Sequence, residues 1–166
     1  MPSYTIDPQR SKLTVFARSG VHDTEIVWKG FSGTIEADPD ELKASTMTIS
    51  VDMKTGDAGD WLKNRKMRKD MNFDKHPSAS FRVDAISAVT QDDSDLKATV
   101  EGSLTWRGKT VSVTASSHGT LTDGELVATG TFPLDMTKLG ITPPKVLMIK
   151  VKDVVDCTVQ LHARAT

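Results

Sequence analysis

The side chains of this chain that could do chemistry are few: four histidines, one cysteine and scattered carboxylates. A metal centre needs His or Cys recurring at ligand spacing, such as His-x-x-x-His, whereas His22, His76, His118 and His162 each stand alone. No metal is expected. Cys157 falls at an apolar, inward-facing position of a strand pattern, without a neighbouring base. Asp38, Asp40 and Glu41 in "GTIEADPDE" flank Pro39 and read as an exposed turn, so no general acid and base pair can be named. A Gly-x-Ser-x-Gly elbow, a phosphate-cradling glycine loop and a dinucleotide fingerprint are all missing. The expectation is a protein that is not an enzyme and takes no cofactor. One charged motif remains, "DWLKNRKMRKDMNFDKHPSASFRV" from Asp60 to Val83. Lys63, Arg65, Lys66, Arg68 and Lys69 could meet a pyrophosphate head group or an anionic lipid surface at a cavity mouth, because ammonium and guanidinium groups suit phosphate. The plainer reading is a solvated helix face. Trp61 reads first as packed on the end of the fold and second as an interfacial anchor; His76, before Pro77, reads as an ordinary loop residue.

The elements that must position these residues follow from period-two alternation, which marks half-buried strands. It runs through Leu13, Val15, Ala17; Met47, Ile49, Val51, Met53; Leu96, Ala98, Val100, then Leu104 and Trp106. It continues in Val111, Val113, Ala115; Leu126, Ala128, Phe132, Leu134; and Val155, Cys157, Val159, Leu161, Ala163. Turn signals separate them: Asp38-Pro39-Asp40, Gln91 to Asp95, Arg107-Gly108-Lys109, Thr122-Asp123-Gly124 and Pro143-Pro144. About eight such strands, each with one apolar face, must curl or split to bury that face, which leaves an antiparallel sandwich or a closed barrel; closure also removes the edges. Thr55 to Lys75 breaks the rhythm. Ala58, Leu62, Met67 and Met71 fall at helical spacing there, predicting a short amphipathic helix over about 58–71 with Asp57 as N-cap.

At 166 residues the chain suits one domain, 1–166. Its 21 Lys and Arg against 22 Asp and Glu divide at residue 83 as 13 against 12, then 8 against 10, so bulk charge does not suggest nucleic acid. A single cysteine excludes an internal disulfide. The start "MPSYTIDPQRSKL" has no charged and apolar leader pattern, which sets the expectation of a cytoplasmic protein; removal of a signal would make it periplasmic or secreted. No apolar run reaches the roughly 18 residues that span a bilayer, leaving peripheral membrane contact open. A membrane barrel does not fit either, since the outward parity of "TMTISVDM" is Thr, Ser and Asp.

Four blocks, "YTIDPQRSKLTVF", "GFSGTIEAD", "HPSASF" and "EGSLTWRGKTVSV", occur in the order found in the YceI-like family of polyisoprenoid-binding proteins, which the chain resembles over most of its length. The resemblance implies an all-β fold, an eight-stranded antiparallel lipocalin-like β-barrel with one short helix near residues 58–71. It also implies a long-tailed ligand, a polyisoprenoid or an isoprenoid quinone tail, inside the barrel. Two departures stand out: Met136 occupies the place of a family arginine, and a double aromatic is reduced to Phe73. The inward-parity wall is then Val15, Phe31, Ile35, Ile49, Val51, Phe81, Val83, Leu104, Trp106, Val113, Phe132 and Leu134.

Three functions compete at this level: carriage or sequestration of such a lipid, an isomerase or hydrolase acting on an apolar substrate, and a stress-related protein-interaction module with a filled barrel. Sequence alone does not separate a lined cavity from a packed one, and a homodimer stays open.

Overall fold

The computed structural model describes residues 2–18, 23–38, 40–141, 145–146, 149–150 and 153–166. His22, Pro39 and the Pro143-Pro144 turn lie outside the described residues. The strands are β1 (Ser3–Ile6), β2 (Lys12–Ala17), β3 (Thr24–Trp28), β4 (Phe31–Glu36), β5 (Thr46–Asp52) and β6 (Ser78–Asp92). Next come β7 (Asp95–Trp106), β8 (Lys109–Thr122), β9 (Glu125–Asp135), β10 (Lys145–Val146), β11 (Ile149–Lys150) and β12 (Val154–Ala165). Among the described residues there is one α-helix, α1 (Trp61–Asp70), between β5 and β6.

Ten strands form one sheet that the β1–β12 pairing closes. The long β12 explains how ten strands make eight staves, because its two halves pair with different partners. Its first half pairs with β2 (Cys157 opposite Val15) and its second with β1 (Ala163 opposite Ile6), so β1 and β2 form one broken stave. The break is bridged by the Asp7 N–H, which donates to the His162 carbonyl at 2.7 Å, and by the buried Ser11 hydroxyl, which accepts the His162 N–H at 3.0 Å. β3 along β2 and β4 along β1 make a second broken stave. The result is a closed eight-stranded antiparallel barrel.

Alternation dictates which side faces inward, and burial follows it: Val111, Val113 and Ala115 on β8, and Val155, Cys157, Leu161 and Ala163 on β12, are all buried. Two hairpins have the primed turns that match strand twist, with positive φ at Arg107 (57°) and Gly108 (73°), and at Asp123 (53°) and Gly124 (75°).

The helix departs from expectation at its start. Asp60, not Asp57, is the N-cap, its carboxylate accepting the Lys63 N–H at 2.8 Å. Gly59, at φ +101°, breaks any earlier helical turn. Asp57 is drawn instead into an antiparallel bridge with Val27, with N–H to carbonyl distances of 2.9 Å both ways. Trp61 and Leu62 are also reassigned. They are 72% and 52% exposed, whereas Met67 and Met71 form the buried face.

Candidate functional site

The barrel encloses an apolar cavity of about 190 Å³ in the half nearest α1. At the opposite end, Tyr4, Ile6, Ile35, Ala37 and Ala163 are buried and stand off the cavity wall, plugging the barrel. The cavity's roof is an aromatic stack in which Trp28 and Trp106 line the cavity and Phe73, 1% exposed and off the wall, packs on both: edge-on to Trp28 at 6.5 Å between ring centroids and in a tilted contact with Trp106 at 5.9 Å. Both indole N–H groups reach backbone carbonyls, Trp28 to Met53 at 3.1 Å and Trp106 to His76 at 3.0 Å, so neither is left unpaired in the apolar interior. The Arg107 guanidinium donates to the Met71 carbonyl at 2.6 Å, tying the β7–β8 turn to the end of α1.

Among the described residues, one seam of the barrel lacks strand pairing over part of its length. The β8–β9 ladder ends at Ser116 opposite Thr131, although β8 begins at Lys109 and β9 runs to Asp135. Pro133, without an N–H, suits the unpaired stretch. A 3-10 turn (Met136–Leu139) and Ile141 fill in there, and Met136, Leu139 and Ile141 are buried on the cavity wall. Asp135 starts that turn by accepting from the Thr137 hydroxyl (2.6 Å) and N–H (3.0 Å), and these bonds hold its pKa below the usual carboxylate range. Met136 therefore adds apolar wall at this seam.

Of the wall positions expected from parity, Val15, Phe31, Ile49, Val51 and Phe81 line the cavity, and so do Leu104, Trp106, Phe132 and Leu134. The other three are off the wall. Ile35 belongs to the plug, Val113 is buried in the core beside the cavity, and Val83 is half-buried at a β-bulge between Val83 and Ala85. Such a bulge re-aims side chains, and the neighbouring Phe81 ring covers Gly102, where a Cβ would collide with it. The expected wall left out residues that line the cavity: Met47 and Met53, both at the parity of Ile49 and Val51, Met71 and Met136, and Trp28 and Ile26 on the short β3. Methionine's flexible thioether suits a surface that must fit irregular contents.

Polar chemistry on the wall is sparse. Ser80, Ser117 and Thr129 are its hydroxyls, and Cys157 its thiol. Burial, with the Asp156 charge as a smaller cause, pushes the Cys157 pKa up to about 12, so at neutral pH it is a thiol and not a nucleophilic thiolate. His76 is off the wall; desolvation, then the Arg107 and Lys75 charges, keep its pKa below the ordinary histidine value. Lys63, Arg65, Lys66, Arg68 and Lys69 all lie on α1, and none lines the cavity. Lys66 pairs with Asp70 at 3.1 Å, Lys63 lies 4.0 Å from the Asp60 carboxylate, and Arg68 donates to the Lys54 carbonyl at 3.3 Å.

Comparison with known proteins places this geometry among relatives. A family model described as the YceI-like domain matches residues 4–163. Burkholderia cenocepacia BcnA superposes with a TM-score of 0.80 at 24% identity, covering 95% of this chain and 98% of that one. A polyisoprenoid binding domain from Saccharophagus degradans, implicated in plant cell wall breakdown, gives 0.79 at 12% identity with 100% of both chains covered. A Campylobacter jejuni YCEI protein gives 0.69 at 14% identity, covering 85% of this chain and 84% of its own. No curated protein sequence matches.

Proposed function

Because the chain belongs to the YceI-like family, we propose that it binds a polyisoprenoid or similar tailed lipid, such as a quinone tail, inside the barrel and carries or sequesters it without chemical change. The observation that carries this reading is the cavity, about 190 Å³ and walled almost wholly by apolar side chains. The Saccharophagus degradans relative is itself described as polyisoprenoid binding, which supports the same ligand class.

Physical chemistry sets the scale. An engineered apolar cavity of about 150 Å³ stays dry and takes up benzene, so an apolar site of this size favours hydrocarbon over water. Each methylene moved out of water contributes about 0.8 kcal/mol, and a five-carbon isoprene unit about 4 kcal/mol before ordering costs. Three units, about 12 kcal/mol gross, thus leave roughly micromolar binding after an ordering cost of about 4 kcal/mol. Drug-sized sites hold roughly 300 Å³ or more, so only the leading part of a long tail fits without movement of the methionines.

Titration with fluorescent prenyl probes of increasing length tests this. Affinity is expected to climb with the first isoprene units and then level off once the cavity is full. No saturable uptake at any length would refute the proposal.

A further inference from the structure

A carrier of tailed lipids must meet the membrane where such tails reside, and the roof of the cavity carries a surface suited to that encounter. Met67 and Met71 turn one face of α1 onto the barrel end, where Met71 lines the cavity. At 100° per residue Leu62, Arg65 and Lys69 lie opposite that face, with Trp61 and Lys66 on either side of them, all exposed. Trp61 and Leu62 are large apolar side chains at 72% and 52% exposure, and the described part of the fold has only one other large hydrophobic so exposed, Val154 at 49%. Neither is needed to close the roof.

The charge on this face is one-sided. Five cations stand on α1 against one acid, Asp70, in a chain whose formal net charge is −1. Among the described residues Arg65 and Lys69 have no carboxylate within ion-pair distance, while the surrounding acids are engaged. Asp70 pairs with Lys66, Asp74 with Lys54 at 3.8 Å, and Asp60 caps the helix. An aromatic and a leucine interleaved with unpaired cations match a bilayer interface, where the rings enter the headgroup level and the cations meet lipid phosphates. A nucleic acid or an acidic protein would use the cations without needing Leu62.

We propose that the exposed face of α1 docks this protein on an anionic lipid surface, bringing the roofed end of the cavity against the membrane. This rests on the cavity being a lipid-tail site, and the experiment separates the two. Flotation is measured with vesicles of phosphatidylcholine alone and of equimolar phosphatidylcholine and phosphatidylglycerol. The protein is expected to float with the anionic vesicles only, and less so at high salt. R65Q/K69Q should bind about thirtyfold less tightly, at roughly 1 kcal/mol per cation near such a surface. W61S/L62S should bind at least about tenfold less tightly. W61S/L62S keeps its thermal midpoint and its uptake of a prenyl probe supplied from solution, since both residues lie off the cavity wall. Failure of the unaltered protein to float, flotation of both variants like the parent, or binding of duplex DNA or polyglutamate in place of vesicles would overturn the docking proposal. Flotation without probe uptake from solution would instead overturn the cavity reading on which it rests.

Discussion

Cys157 shows at the scale of a single residue how the interior controls chemistry. Its pKa is pushed to about 12 by burial on the cavity wall. Below about pH 9 the thiol is protonated in folded and unfolded chains alike and stability does not depend on it. Between that pH and its folded pKa, the unfolded chain releases a proton that the folded chain retains, so stability falls as pH rises. The slope is about 1.4 kcal/mol per pH unit. Urea unfolding at about pH 8 and about pH 10 should show this loss in the parent and not in Cys157→Ala; equal losses in both would contradict the assignment. Phe73 makes a second residue-level case. Fully buried between Trp28 and Trp106, it should lose about 3–5 kcal/mol on Phe73→Ala, measured by denaturant titration. A loss below about 1 kcal/mol would mean that the roof collapses around the missing ring.

At the scale of elements, α1 is held by its cap, by Met67 and Met71 against the barrel end, and by hydrogen bonds at both ends, Asn64 to Asp57 and Arg107 to the Met71 carbonyl. Asp60→Ala removes the capping acceptor of the Lys63 N–H and should cost about 1 kcal/mol in thermal or urea unfolding; Asp57→Ala keeps that cap but loses the carboxylate that accepts the Gly59 N–H at 2.9 Å and the Asn64 side-chain N–H at 3.0 Å, so it loosens the approach to the helix instead. The same place shows why sequence located the helix but misplaced its start. Asp57 and Asp60 are both good caps by type, and the choice is made by Gly59 at positive φ and by the bridge from Asp57 to Val27, thirty positions away. Strands were legible because alternation is a local signal. The broken staves were not, since whether β1 and β2 are one stave or two depends on β12, at the far end of the chain. For the site, parity states which way a side chain faces but not its depth along the barrel axis. Phe31 and Ile35 on β4 therefore part company, one on the cavity wall and the other in the plug. Two of the methionines on the wall, Met71 and Met136, lie beside the helix and in the 3-10 turn after β9, where no alternation points inward.

For the whole molecule, the decisive property is asymmetry along the barrel: one end filled, the other hollow beneath an aromatic roof. A filling substitution tests whether the hollow is what binds. Ala115 is buried on the cavity wall, and Ala115→Phe would project a ring into the space. The fold should persist at a cost within the usual 1–3 kcal/mol of overpacking, while prenyl-probe affinity falls at least about tenfold. Unchanged affinity would place the ligand elsewhere. The most direct measurement is native mass spectrometry of freshly purified protein beside Ala115→Phe. The parent should carry added mass that organic extraction releases as a hydrocarbon-tailed compound, and the filled variant should not. A parent at its bare polypeptide mass, which also stays bare after incubation with prenyl lipid, would contradict the claim that this barrel is a lipid carrier.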